Sequence, residues 1–230
     1  MSDTVILTRL HYPKDSNKFK QRLKIYENSV LPCLSAQEDQ DFDIAVWCNP
    51  WHEKEIKALS PYIKTFSATY APPPNPTGFN DFTEWANVSG LKEYRIQANL
   101  DSDDLIAPEY VKMIHKHCVG DASVFVGFQP YIADVRTQQV GELGPYNETF
   151  TPAFFALYQP HQDTYIFAYH TSHTRMWRFG TKTILVPYGH CCALIHDFNE
   201  STVWRYRNKV MRVAPASEIP WIAERIECPA

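Results

Sequence analysis

Arg95-Ile-Gln-Ala-Asn-Leu-Asp-Ser-Asp-Asp104 runs an apolar-leaning segment directly into three carboxylates within four positions. Alternate side chains of an extended segment point the same way, so Asp101 and Asp103 can share one target, with Asp104 beside them. Clustered carboxylates repel, and a positive partner normally offsets that cost. A hard divalent cation such as Mg²⁺ or Mn²⁺ meets the need, since it prefers oxygen ligands and keeps positions open for phosphate oxygens.

Upstream of this stretch, strand and helix signals alternate. Residues 5–8 read as a short buried strand. Ser16 or Asn17 then opens a helix whose apolar positions Phe19, Leu23, Tyr26 and Val30 follow three-to-four spacing, with a bend or restart at Pro32. Strands are expected at 42–47, 63–68 and 94–100, and helices at 53–59 and 81–91. Pro108 suits the first turn of a helix over 109–117 that stops at Gly120. This alternation predicts a mostly parallel α/β sheet with helices on both faces, in which ligands gather at the carboxyl ends of strands. The Asp cluster lies at one such end. After residue 120 the pattern changes to short strands linked by turns (124–128, 131–136, 139–143, 153–157, 165–169, 183–186), expected to be mainly antiparallel.

The bulk properties agree with a globular chain. The 230 residues suffice for one domain, expected to span 1–230 with a nucleotide-binding half (1–120) and an acceptor-binding half (121–230). A net charge of −4 gives no general attraction to nucleic acid. The N-terminal residues lack signal-peptide character, and no apolar run approaches the roughly 18 residues of a membrane span. Six cysteines lie scattered without CxxC spacing, which suits reduced thiols and a cytoplasmic location.

The carboxylate cluster has several readings. Asp103 or Asp104 may simply cap the helix that follows, leaving the others solvated. An EF-hand fails, because a loop starting at Asp101 would place Ile106 and Lys112 where glycine and an acid are required. An aspartyl phosphotransferase carries its Asp-x-Asp on the first strand, whereas here it comes about a hundred residues in. A nucleotide-sugar site remains, since a strand ending in Asp-x-Asp, fourth in a parallel α/β half, resembles the DxD motif of GT-A fold glycosyltransferases. Further residues extend the likeness: Thr8-Arg9, Leu34 and Gln37, Asp41-Phe-Asp43, Leu100-Asp-Ser-Asp-Asp104, residues 154–158, His170-Thr-Ser-His173 and His196-Asp-Phe-Asn199. Together they make the chain similar to the bacterial rhamnosyltransferase family, over most of its length.

That resemblance implies a GT-A-like (Rossmann-like) fold and a division of labour. Asp101 would face the nucleoside ribose, Asp103 would bind the metal that bridges the diphosphate, and Asp104 would assist it. His196 would complete the Mn²⁺ or Mg²⁺ shell, with His170 and His173 as rivals. Arg9 and Arg95 are candidates for phosphate or nucleotide contacts, as guanidinium forks match phosphate oxygens, although surface salt bridges would serve them equally. Trp47 and Trp85 could stack on a base, and Tyr158, Tyr165, Tyr169 and Trp177 could line the acceptor, against the plainer alternative of packing. An inverting transfer needs a base. Asp163 is preferred for its polar loop, with Asp197 and Glu148 as alternatives.

Other chemistries find less support. The groups His115, His117, Cys118 and His190, Cys191, Cys192 lack the paired spacing of zinc sites, and no GxSxG, P-loop or GxGxxG pattern occurs. A basic set (Arg175, Arg178, Lys182, Arg205, Arg207, Lys209, Arg212) reads as a solvated face or as a patch for a polyanionic acceptor. The expectation is therefore a metal-dependent glycosyltransferase that moves a sugar from a nucleoside diphosphate to a hydroxyl on a glycan or other polymer. DNA with hydroxymethylated bases as acceptor, or a non-catalytic nucleotide-sugar-binding module, are the alternatives. Asp103→Ala is expected to abolish activity while leaving the fold intact.

Overall fold

The computed structural model of the protein describes residues 2–10, 12, 14–67, 91–143, 154–161, 182–195 and 210–226. Strand β1 (Thr4–Leu10) is buried at every position except Arg9. Such a continuous apolar run fits a central parallel strand covered on both faces. Helix α1 (Asn17–Ile25) follows, then a π-helical segment (Tyr26–Val30) and helix α2 (Leu31–Ser35). Pro32 falls in the first turn of α2, where a missing N–H costs nothing, so it restarts the helix and does not break it. Strand β2 (Asp43–Cys48), helix α3 (Glu53–Leu59), strand β3 (Ile63–Ser67) and strand β4 (Ile96–Asn99) complete the first half. The helix expected at 81–91 lies almost wholly outside the described residues.

Beyond β4 the chain forms β5 (Asp104–Ile106), α4 (Tyr110–His117), β6 (Val124–Phe128), β7 (Tyr131–Asp134), β8 (Gln139–Leu143), β9 (Phe155–Tyr158), β10 (Lys182–Val186), β11 (Cys191–Ile195), β12 (Val210–Pro215) and α5 (Pro220–Ile226). Two sheets result. The larger has the order β10-β6-β9-β4-β1-β2-β3, and the smaller β12-β8-β7-β11-β5. Around β1 the pairing is parallel, to β2 on one side and β4 on the other. One buried cluster joins residues of both sheets, from Ile6 and Val46 to Leu105, Val140 and Leu194, with Ile222 and Ile226 of α5.

Two expectations need correction. Strand β6 is not part of an antiparallel unit with its neighbours in sequence. It enters the large sheet, where β10 pairs with it in parallel, and among the described strands of that sheet β9 alone runs antiparallel, between β4 and β6. Short strands of similar composition carry no mark of partner or direction, since pairing is decided by long-range packing. Asp104, one of two candidate caps for the following helix, is instead the first residue of β5. The peptide 100–103 thus carries the chain from the large sheet to the small one.

At the amino ends of the strands, far from the Asp cluster, ionic side chains tie the layers together. Lys64 Nζ and the Tyr94 hydroxyl donate to Asp43 Oδ2 at 2.7 and 2.6 Å. His115 bridges the Thr4 hydroxyl (2.7 Å) and Asp39 Oδ2 (2.7 Å), linking α4 to β1. Partial burial pushes the Asp43 carboxyl up, but bonds from Lys64 and Tyr94 outweigh it and hold the group below its ordinary value. The backbone N–H of Asp41 holds Asp39 low against its partial burial, with His115 adding to the effect.

Both carboxyls are depressed in the folded protein. They stabilise it fully above the unfolded carboxyl value of about 3.9, and that contribution disappears as pH falls through the lower folded values. Asp43→Asn should therefore flatten the acid side of a melting-temperature profile measured between about pH 6 and pH 3. An unchanged acid slope would mean that Lys64 and Tyr94 do not hold this carboxylate in solution.

Candidate functional site

The carboxyl ends of β4, β1 and β2 lie side by side. Leu7 is in register with Asn99, and Arg9 with Trp47. The N–H of Leu100 continues the ladder to Leu7 O at 3.0 Å. Two residues beyond the Leu7–Asn99 pair, Arg9 and Asp101 therefore stand at one level with Trp47 on three adjacent strands, about 4.8 Å apart per strand. Arg9 is exposed there and Asp101 half-buried. Trp47, expected as a base platform, is only 8% exposed, so its ring belongs mainly to the core.

Trp51 is the more accessible ring at this end. It follows β2 after Asn49-Pro50 and is 38% exposed. Its indole N–H donates to Tyr12 O at 3.2 Å, and the buried Asn49 amide donates to the same carbonyl at 2.5 Å. The loops after β1 and β2 are thereby tied to each other beside the Asp cluster. The signal in the sequence was an aromatic residue just past a strand-ending Asn-Pro.

The three carboxylates have different surroundings. Asp103 is 7% exposed, and its Oδ2 meets Nη1 of Arg22, which is 5% exposed. Arg22 lies on the buried face of α1 with Phe19 and Ile25. The sequence pattern assigned that stripe to Leu23, which instead sits at its border, half-buried. A basic residue three positions after Phe19 and four before Tyr26 falls on the helix's apolar face. That placement is the signal in the sequence for a counter-charge supplied by the protein itself.

Next to Arg22 the helix widens. The N–H of Tyr26 bonds to Arg22 O, and that of Leu31 reaches back five residues to Tyr26 O. Tyr26 is fully buried, and its phenol, facing the Thr8 hydroxyl of β1, is pushed up by that burial. After α2, Gln37 locks the far side of the site. Its amide donates to Ala107 O (2.8 Å) and Cys33 O (3.0 Å) and accepts from the Val111 N–H (3.0 Å).

Asp104, expected as a metal ligand, is the first residue of β5. It pairs with Ala193 across β5 and β11 and is 6% exposed. Burial, then the charges of Asp103 and Asp101, push its carboxyl well above the ordinary range, against Arg22 and a bond from the Leu194 N–H. Asp101 and Asp103 remain as an oxygen-only pair, and among the described residues no group of three or more His, Cys, Asp or Glu side chains could hold an ion by protein alone. Two carboxylates with the rest of the shell left to water and phosphate fit a hard divalent cation, because Mg²⁺-type ions are commonly held that way.

Two further expectations are displaced. Arg95 precedes β4, at the opposite end from Asp101, roughly 20 Å away along an extended chain. It is half-exposed and faces Asp3 at 3.9 Å. Tyr158 pairs with Ile96 and Val124 at that same end, and its hydroxyl donates to Gly120 O at 2.8 Å. Neither is brought to the cluster. Trp85, Glu148, Asp163, Tyr165, Tyr169, His170, His173, Arg175, Trp177, Arg178, His196, Asp197, Arg205, Arg207 and Lys209 lie outside the described residues. Lys182 is exposed at the start of β10. The thiols of Cys191 and Cys192 are buried and pushed well up by that burial, and so are poor zinc ligands.

The family model described as "Putative rhamnosyl transferase" matches residues 6–208. The chain belongs to this family. Among solved structures it is similar to S. aureus TarS 1-349 in complex with UDP-GlcNAc, at 14% identity and a TM-score of 0.56, covering 88% of this chain and 62% of that one. The same TarS fragment in complex with UDP gives 12% identity and a TM-score of 0.52, covering 85% and 61%. These likenesses show the fold, a GT-A-like arrangement. The family member described here spans under two thirds of that TarS chain. No curated protein matches it in sequence.

Asp103→Ala would leave the Arg22 guanidinium buried without this carboxylate, so the expectation of an undisturbed fold is withdrawn. Breaking such a buried pair from one side costs about 3–5 kcal/mol, whereas replacing both partners by apolar residues is far milder. In denaturant titrations, Asp103→Ala should be strongly destabilised, and Asp103→Leu combined with Arg22→Met should recover much of the loss. Equal stability of wild type and Asp103→Ala would show the pair to be energetically idle.

Proposed function

We propose that this protein is a glycosyltransferase that takes its sugar from a nucleoside diphosphate donor and passes it to a hydroxyl acceptor, with a divalent cation as cofactor. The observation that carries this is the placing of Asp101 and Asp103 at the carboxyl end of β4, level with Arg9 on β1, in a GT-A-like sheet of a rhamnosyl transferase family member. Strand ends of this kind are where open α/β sheets bind ligands. The bound forms of the TarS fragment, one with UDP-GlcNAc and one with UDP, support a nucleotide-sugar donor.

In the transfer, the bond from the anomeric carbon to the diphosphate oxygen breaks and a bond to the acceptor oxygen forms. The nucleoside diphosphate leaves with the electron pair, and the acceptor's proton passes to a base. Asp101 and Asp103 would hold the cation, which as a Lewis acid neutralises charge gathering on the departing diphosphate. Arg9 adds an exposed guanidinium at the same level, suited to phosphate oxygens. Trp51 offers a partly exposed face for a base beside them. The proposed bases, Asp163 and Asp197, and the proposed ligand His196 belong to segments outside the described residues. No helix among the described residues is long and apolar enough to cross a membrane.

The test is hydrolysis of nucleotide sugars in the absence of acceptor, with and without Mn²⁺. Slow release of the nucleoside diphosphate that needs the cation is expected. Asp103→Asn, which keeps the shape of the side chain, should reduce it by about 10²-fold or more, the scale on which removal of one preorganised charge-stabilising group acts. Full activity in Asp103→Asn, or no turnover of UDP-, dTDP- or GDP-sugars by wild type, would count against the proposal.

A further inference from the structure

Arg22 and an incoming cation address the same carboxylate. The guanidinium comes from the buried face of α1, which Phe19 and Ile25 anchor, and its own exposure is 5%. It therefore cannot withdraw into solvent without moving the helix. A divalent ion at Asp103 meets a fixed positive charge in contact with its ligand, and like charges at such range disfavour each other strongly where burial limits screening. A diphosphate reverses the balance, because its oxygens attract both cations at once.

Resting on the proposed nucleotide-sugar function, we propose that Arg22 is a positioning residue that makes cation and nucleotide binding interdependent. It holds Asp103 in place and weakens binding of the bare cation. The cation–diphosphate pair escapes this penalty, because its negative charge answers the guanidinium. Coupling of this kind is reciprocal: the nucleotide tightens the cation by the factor with which the cation tightens the nucleotide. The arrangement selects donors that carry a diphosphate over neutral sugars and over the cation alone.

The experiment is calorimetric titration of the full chain with Mn²⁺, in the absence and presence of UDP, dTDP or GDP as probes. In wild type, the nucleotide that binds should tighten Mn²⁺ at least on the order of tenfold, within the usual range of coupling between sites. In Arg22→Met, Mn²⁺ alone should bind more tightly than in wild type, and the ratio of the two Mn²⁺ affinities should shrink severalfold. Arg22→Lys, which keeps the charge, should restore most of the ratio. An Arg22 that serves structure alone would lower the melting temperature of Arg22→Met and leave the ratio unchanged.

Wild type that binds Mn²⁺ and nucleotide independently overturns the inference without any variant and leaves the proposed function standing. An unchanged ratio in folded Arg22→Met does the same. Should Arg22→Met fail to fold, Arg22→Gln, which keeps a donor without the charge, carries the comparison, and the wild-type ratio decides by itself if neither folds. Wild type that binds neither Mn²⁺ nor any of the three nucleotides overturns the inference and the proposed function together.

Discussion

The ion pair between Arg22 and Asp103 is the constraint on which the site depends. Three carboxylates follow one another within four positions, and two of them are buried. The chain handles that charge in two ways. Asp103 keeps company with a guanidinium delivered by α1, and Asp104 is drawn into β5, where burial favours its protonated form. Only Asp101 stands half open at the strand end. Helix α1, the turn after β4 and the start of β5 are therefore held to each other by electrostatics as well as by packing. A ligand arriving at Asp101 meets a surface whose charges are already arranged.

The position of that turn gives the pair its reach. Residues 100–103 leave the large sheet at β4 and enter the small one at β5, so the motif spans the seam between the sheets. Arg22 reaches this seam from one side. Gln37 ties α2 to the segment between β5 and α4 from another, through Ala107 and Val111. Movement of the small sheet relative to the large one would have to break these polar contacts along with the shared apolar core. The two sheets thus share a common mechanical reference at the strand end that carries Asp101.

Much of this was legible in the sequence where local pattern governs. β1, β2 and β3 announced themselves by short apolar runs, and α4 by Pro108 and by the stop at Gly120, which takes a φ of 89°. The Asp cluster was found because charge density is visible without structure. Pairing was not visible: the parallel match of β6 with β10 joins residues nearly sixty positions apart, and nothing in either segment names the other. Within the site, the spacing of Arg22 to Phe19 and Tyr26 marks its face of the helix, but not which carboxylate that face meets. Arg95 shows a related limit, since the structure places it before β4, at the end away from Asp101. A strand has two ends, and the surface ion pair with Asp3 is the alternative that the structure shows for Arg95.

The π-helical segment at Tyr26–Val30 bears on how this region tolerates change in length. Hydrogen bonds that reach back five residues accommodate about one residue more than a regular α-helix would in the same span. Each residue turns an α-helix by about 100°. Loss of one residue from this segment would let the bonds revert to the ordinary pattern over the same span and leave α2 near its present phase against α1. Loss of one residue from α1 after Arg22, or from α2, where no wide turn takes it up, would rotate Arg22 and Gln37 against each other by roughly a quarter turn. The wide turn is thus where this interrupted helix can change length while both side chains keep facing the carboxylate motif and the segment behind it.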